Sequence, residues 1–415
     1  MRKGRLAASS SWAALIITLS GCSTPLSTTA TDHRGSTQAS APVATTPPST
    51  TAPPSATPTT VLAPVEQAPG WTGPLTSLPP GGGFTSLSCI SDTFCIASGG
   101  GANQTDAAAT TGPGVALSWD GASWSDPSVY FPAPATGPTL EPIMPTLDCT
   151  VGPFCVIADG SGHVSTGDGT NWSAPAPLPS APPLPANPSD PGADHPGSRR
   201  TAVSCPTPGF CAFVDNTGHA TTLRGGTWAT PQAFGAPSGT GSVALYHPGG
   251  IGLSCPSSSS CTAVVGTTIL DWNGSTWSEE QLPWSPVLDP GASSATAISC
   301  PTTTLCIIVN GRTVSYRTAG HGWSPVQDID PQGGLDAISC PTTSFCLTAD
   351  SHGSVVTWDG THWSPPLHVL PSSTEYTGAG TSVSCPSDQF CMVVDGDGDY
   401  ATYAGPADGP TATTP

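Results

Sequence analysis

Fourteen cysteines of this chain fall into seven pairs of one spacing, Cys-x5-Cys, and no other feature limits its fold so much. The pairs are Cys89/Cys95, Cys149/Cys155, Cys205/Cys211, Cys255/Cys261, Cys300/Cys306, Cys340/Cys346 and Cys385/Cys391. Their first members recur at intervals of 60, 56, 50, 45, 40 and 45 residues. Self-similarity at such a period means repeated copies of one supersecondary unit. The clearest copy, 335–366, reads LDAISCPTTSFCLTADSHGSVVTWDGTHWSPP. Alternation and turn residues divide it into four short strands: Asp336–Cys340, Phe345–Ala349, Ser354–Trp358 and His362–Ser364. One such sheet per repeat predicts an all-β fold, a seven-bladed β-propeller of four-stranded antiparallel blades over 68–403.

The fourth strands give a check on that count. Six repeats end in a tryptophan: Trp124, Trp172, Trp228, Trp277, Trp323 and Trp363. The seventh runs to Tyr403 without one, while a strand-like segment around Trp71 precedes the first cysteine pair. That segment is expected to complete the seventh blade, which removes open sheet edges.

Each cysteine pair brackets the turn between a blade's first two strands. Five intervening residues suit a disulfide across a hairpin. Closing so short a loop stabilises by about 2 kcal/mol in the chain-entropy account. The rival reading, metal ligation, lacks both Cys-x2-Cys spacing and a matching histidine series.

Composition narrows the function classes. Gly and Pro number 48 and 49 of 415 residues, and only 9% are charged. A long helical bundle does not tolerate that many breakers. Twelve Trp and fifteen Cys argue equally against a chain without a core. Nine Lys+Arg against 28 Asp+Glu give a net charge of −19, which opposes nucleic-acid binding.

The fifteenth cysteine has a separate context. Arg2, Lys3 and Arg5 precede the apolar run Trp12–Leu19, which is too short to span a bilayer and reads as an export signal over 1–21. Leu19-Ser20-Gly21-Cys22 resembles the bacterial lipobox, which implies cleavage before Cys22 and lipid modification of its thiol. An ordinary cleaved signal that leaves a free thiol is the alternative. The resemblance implies an exported lipoprotein, anchored to the outer face of the bacterial cytoplasmic membrane. Residues 22–67 are rich in Ser, Thr, Pro and Ala and cannot bury enough surface to fold. They are expected to form a tether, with 404–415 a second unstructured segment.

Three turns between third and fourth strands read Ser118-Trp-Asp120-Gly121-Ala-Ser-Trp124, Asp271-Trp-Asn273-Gly274-Ser-Thr-Trp277 and Thr357-Trp-Asp359-Gly360-Thr-His-Trp363. They resemble the Asp-box (BNR) repeats of sialidase-like propellers, less one residue between Asp and Gly. In that family the box is a structural turn whose carboxylate accepts backbone N–H bonds. The whole repeat is also similar to the cysteine-paired propeller repeats of actinobacterial exported proteins and kinase ectodomains. Those resemblances imply architecture and no common activity.

Enzyme readings find little support. A sialidase needs three convergent arginines, and the propeller region offers only Arg199, Arg200, Arg224, Arg312 and Arg317, the first two adjacent. Neither Gly-x-Ser-x-Gly nor His-Glu-x-x-His occurs. A carbohydrate-active enzyme of degenerate sialidase-like type is the second reading. Asp395, Asp397 and Asp399 alternate like the start of a calcium loop, but Tyr400 stands where Gly is expected and no Glu follows. Comparable stretches, Asp159–Gly162, Asp215–Gly218 and Asp350–Gly353, read as ordinary turns, and His163, His219 and His352 as residues of those turns. No cofactor is expected.

Length variation is confined to one face. Gly99–Gly114, Asp126–Pro145, Ala174–Arg200, Ala229–Gly250 and Glu279–Ala295 are long second-to-third turns or blade-to-blade links, which share a face in a propeller. Recognition commonly resides in loops on a rigid scaffold. A protein or cell-envelope glycan is therefore expected to bind there, on blades one to four of a monomer. Tyr130, Phe131, Arg199, Arg200, Tyr246, His247 and Trp284 are the candidate contacts.

Overall fold

The computed structural model describes residues 69–76, 83–100, 114–131, 145–159, 162–179, 201–216, 218–234, 251–266, 268–282, 296–371 and 381–405. They form seven antiparallel sheets arranged as the blades of a β-propeller. Blade six, built from Leu335–Thr342, Phe345–Asp350, Ser354–Trp358 and Leu367–His368, is representative. Blade seven draws its fourth strand from the other end of the chain: Trp71–Thr76 pairs with Asp399–Ala404, with Trp71 opposite Tyr403. The first and last described strands thus meet within one sheet.

The core lies at the seams between blades. Each of the seven seams has an apolar cluster, and each cluster contains one cysteine pair. At the seam of blades six and seven, for example, Leu347, Val355 and Leu370 pack on Cys385, Cys391 and Val393. Burying each large aliphatic side chain contributes about 1.5–3 kcal/mol.

All seven pairs are disulfide-bonded: Cys89–Cys95, Cys149–Cys155, Cys205–Cys211, Cys255–Cys261, Cys300–Cys306, Cys340–Cys346 and Cys385–Cys391, with Cα–Cα distances of 3.9 to 4.1 Å. The expected hairpin disulfides are all present, and their sulfurs also belong to the core. Cys95, Cys155, Cys211, Cys346 and Cys391 are sealed from solvent, Cys261 is nearly so, and Cys306 is buried as well. The physical reason is that the second strand is buried along nearly its whole length, and the cysteine is its second residue. The bonds therefore act twice, closing a hairpin and filling a seam.

A ring of hydrogen bonds explains the residue before each first cysteine. Ser88 Oγ accepts the Cys149 amide of the next blade at 3.0 Å. Ser204 accepts from Cys255, Ser254 from Cys300, Ser299 from Cys340 and Ser339 from Cys385, at 2.9 to 3.1 Å. Ser384 accepts from Cys89 and closes the circle. Blade two alone uses a carboxylate: Asp148 Oδ2 accepts from Cys205 at 2.6 Å. Its Oδ1 also accepts from the Ser88 hydroxyl and the Cys149 amide, each at 3.0 Å. Burial pushes the Asp148 carboxyl up to about 6, against the lowering effect of these donors.

The fourth strands depart from the sequence expectation. In blade six Trp363 makes only a single bridge to Trp358, and the strand proper is Leu367–His368 rather than His362–Ser364. Blades one, two and five repeat this, with lone bridges at Trp124, Trp172 and Trp323. The cause is the proline that follows, Pro127, Pro175, Pro325 or Pro365, which cannot donate to the ladder. The intervening serine spans the break. Ser364 N–H donates to Thr357 O at 2.8 Å, while its hydroxyl oxygen accepts the Thr357 amide at 3.0 Å. Ser125, Ser173 and Ser324 repeat both contacts. Blade four has Trp277-Ser278-Glu279-Glu280-Gln281, no proline, and one continuous strand.

Candidate functional site

The propeller has two chemically different faces. On one, the third-to-fourth turns of blades one, four and six rest on the cysteine turn of their own blade. A Cβ added to Gly121 meets Thr93 at 2.9 Å, one on Gly274 meets Ser259 at 3.2 Å, and one on Gly360 meets Ser344 at 3.2 Å. On the other face, second-to-third turns meet the links between blades. Gly218 lies against the Phe234 carbonyl, Gly353 against that of Leu370, and Gly83 against that of Gly396.

On the cysteine-turn face the third-to-fourth turns are capped by their own side chains, although Nε1 of Trp124, Trp277, Trp323 and Trp363 beside them is buried without a partner. Asp359 Oδ1 accepts the Thr361 and His362 amides, each at 2.7 Å. Hydrogen bonds from His362 and Thr361 hold this carboxyl down to about 2. Asp120, Asp168 and Asn273 cap their turns in the same way. This is the local geometry of an Asx turn, which needs only Asp or Asn before a glycine that adopts positive φ. Arginines brace the turns outside: Arg224 lies over Phe210 and Trp272 and donates to Gly274 O at 2.7 Å. Arg317 of blade five grips Asp271 of blade four with two bonds of 2.7 Å.

Among the described residues, the linking face carries a repeated aspartate turn. Asp159, Asp215, Asp350 and Asp395 end or directly follow second strands, and each turns through a glycine at φ 81° to 85° three residues on. In each the carboxylate accepts the amide four residues ahead, at 2.7 to 3.0 Å. Two of these turns carry histidines beside the carboxylate: Nδ1 of His219 is 3.2 Å from Asp215, and that of His163 is 3.5 Å from Asp159. The sequence marks these histidines as turn residues, and the structure adds their pairing with the capping aspartates.

Asp395, Asp397 and Asp399 form one such turn. Asp395 Oδ1 accepts the amides of Asp397 and Asp399 at 3.0 and 2.9 Å. Burial pushes its carboxyl up to about 6. Among the described residues, no three His, Cys, Asp or Glu side chains are arranged to hold a metal ion.

Of the expected contact residues, two change role. Tyr130 and Phe131 are 2% and 5% exposed and belong to the seam of blades one and two. Tyr130 donates its hydroxyl to Gly99 O at 3.1 Å and packs edge-on against Phe131 and Trp172. Burial raises its phenol well above the ordinary range. Because Pro127 delays the fourth strand of blade one to Ser128–Phe131, residues read as link are core. Arg199, Arg200, Tyr246, His247 and Trp284 lie outside the described residues. Cys22 and the segments 1–21 and 22–67 lie outside them too. Sequence reasoning also passed over Asp330 and Asp336, which lie within like-charge reach of Asp350. Nothing in their local pattern marks them, because the fold alone brings them together.

Fold and faces together define a seven-bladed β-propeller. No protein-family profile matches the sequence, and neither does any curated protein. Solved structures do match in fold. The chain is similar to YCF48 bound to D1 peptide, with TM-score 0.50 and 12% identity over 82% of this chain and 98% of that one. It is similar to the WD40 β-propeller domain of Doa1, with TM-score 0.53 and 12% identity over 81% and 98%. It is also similar to a catalytically inactive virginiamycin B lyase from Staphylococcus aureus with quinupristin, with TM-score 0.53 and 9% identity over 80% and 99%. At these identities the likeness is one of fold.

Proposed function

We propose that the protein is a non-catalytic binding module, and that its linking face recognises a protein or cell-envelope glycan. The observation that carries this reading is the asymmetry of the two faces. On the cysteine-turn face the turns between third and fourth strands are short and capped by their own Asp or Asn, whereas the described residues that flank 101–113, 132–144, 180–200, 235–250 and 283–295 lie on the other. The YCF48 structure is an instance of a propeller with a peptide bound. A carbohydrate-active enzyme is the second reading, and the lyase is an instance of an enzyme with a similar fold. Against it, Arg224 and Arg317 are committed to contacts between blades, and Arg312 pairs with Asp328 at 2.8 Å.

The test uses peptide and glycan arrays with two variants, one shortened within 181–198 and 236–249, the other altered at Thr361 and Ser275 on the opposite face. Ligands retained by the second variant and lost by the first support the reading. Equal binding by both overturns it, and turnover of an arrayed glycan favours the enzyme.

Export and anchoring through Cys22 belong to the same proposal, with 22–67 as the tether. Several acyl chains hold a protein stably at a membrane where one is marginal. Labelling cells with an alkyne fatty acid is expected to mark the wild type and leave Cys22→Ala unmarked. Label on both sinks the anchor.

A further inference from the structure

Among the described residues two asparagines precede a glycine, Asn273 and Asn310. Such a pair is open to a reaction that most others resist. The glycine nitrogen has no side chain beside it, so it can approach the carbonyl carbon of the asparagine side chain. What holds the two groups decides whether it does. At Asn310 the nitrogen is engaged, because the Gly311 amide donates to Leu335 O of blade six at 3.2 Å. Asn273 lies in the third-to-fourth turn of blade four, and there no described residue engages the Gly274 amide.

The same turn arranges the other groups that the reaction needs. Asn273 is exposed, so water and hydroxide reach it. Its Oδ1 accepts the Ser275 and Thr276 amides at 3.0 and 2.9 Å and the Ser275 hydroxyl at 2.8 Å. Attack on Cγ places negative charge on that oxygen, and donors already aimed at it stabilise the charge. Its Nδ2 donates to Thr276 Oγ1 at 3.1 Å, which sets a hydroxyl beside the nitrogen that has to leave.

We propose that Asn273-Gly274 is a self-modifying turn, in which the chain converts its own asparagine to aspartate or isoaspartate. Solvent hydroxide takes the Gly274 amide proton. The nitrogen forms a bond to Cγ, and the Cγ–Nδ2 bond breaks. Nδ2 leaves as ammonia with the Thr276 hydroxyl proton, which water replaces, restoring the hydroxide. Water then opens the cyclic imide at one of its two carbonyls. Opening at Cγ gives aspartate, which suits the turn, since Asp120, Asp168 and Asp359 cap the equivalent turns through the same two amides. Opening at the main-chain carbonyl gives isoaspartate and lengthens the backbone by one carbon. That shifts Gly274 O, which accepts from Arg224 of blade three at 2.7 Å. The turn therefore carries a one-way change in the brace between blades three and four. The inference is independent of what the linking face binds.

The test follows both asparagines by peptide mass in mildly alkaline buffer. It compares the native full chain, disulfides intact, with the same chain reduced and unfolded. Asn273 is expected to convert in the native chain at least as fast as in the unfolded one. Asn310 is expected to convert at least about tenfold more slowly in the native chain, because its glycine amide must first open. Thr276→Val is expected to slow conversion of Asn273 in the native chain and to leave the unfolded rate unchanged. Slower conversion of Asn273 in the native chain than in the unfolded one overturns the inference, as does a native Thr276→Val chain that converts at the wild-type rate. If Thr276→Val does not fold, Ser275→Ala carries the comparison with the same two outcomes.

Discussion

Ser384 Oγ accepts the Cys89 amide hydrogen at 2.8 Å, across 295 residues of chain. The contact joins the last blade to the first and completes a circle in which every blade holds its successor at the same place, six through a serine and one through Asp148. Serine suits the position because its single oxygen reaches one amide and can still donate. A circle of equivalent bonds also means that no blade is terminal, although the chain has two ends.

Asp148 is the exception in that circle and the place to test it. Asp148→Ser is expected to preserve the bond to Cys205. It should also remove the stability that the wild type loses as pH rises through about 6. Asp148→Leu leaves the Cys205 amide without an acceptor and is expected to cost about 1–3 kcal/mol. Denaturant titrations at pH 5 and pH 8 check both, and identical pH dependence in wild type and Asp148→Ser would falsify the assignment.

Seven disulfides imply a mass about 14 Da below that of the fully reduced chain, from two hydrogens per bond. Intact mass before and after reduction reads this directly. Replacing both Cys340 and Cys346 by Ser is expected to cost about 2 kcal/mol for the loop, and more because the pair also fills the seam of blades five and six.

The serine that spans each proline break gives a third prediction. Ser364→Ala removes the acceptor for the Thr357 amide and is expected to cost about 0.5–1.5 kcal/mol. Blade three already has Ala229 at this place, and there the strand continues as two short pieces, Thr227–Trp228 and Gln232–Ala233. An unchanged unfolding midpoint in Ser364→Ala would mean that water supplies the missing acceptor.

Tyr130→Phe separates core from surface. Loss of the hydroxyl leaves the buried Gly99 carbonyl without that donor and is expected to lower stability by about 1 kcal/mol. Binding on the arrays should be unchanged. A variant that folds normally and loses binding would return Tyr130 to the recognition surface.

How far the sequence carried can be judged residue by residue. Blade number, hairpin disulfides and the strand around Trp71 were all legible, because each rests on a periodic mark that local chemistry imposes. The depth of Cys95, Cys155, Cys211, Cys261 and Cys306 was not, since spacing fixes a partner along the chain and says nothing of the blade that covers it. The fourth strands were misplaced because Trp is the conspicuous residue and Pro, two or three positions later, decides the ladder. That error alone moved Tyr130 and Phe131 from core to surface. The serine before six of the seven first cysteines carries no local sign of its role, since its partner lies about 50 residues ahead on another blade.

The prolines of the outer strands have one further consequence. An exposed strand edge is a template on which another chain can add itself. Here Pro74, Pro127, Pro175, Pro231, Pro325 and Pro365 interrupt the outermost strand of six blades. Blade four has no proline there, but Glu279 and Glu280 stand exposed along its edge. The circumference thus resists edge-to-edge accretion by two means, missing donors on six sides and repulsion on the seventh. Among the described outer strands, blade four offers the one edge without a proline, and there Arg317 of blade five stands 3.8 Å from Glu280.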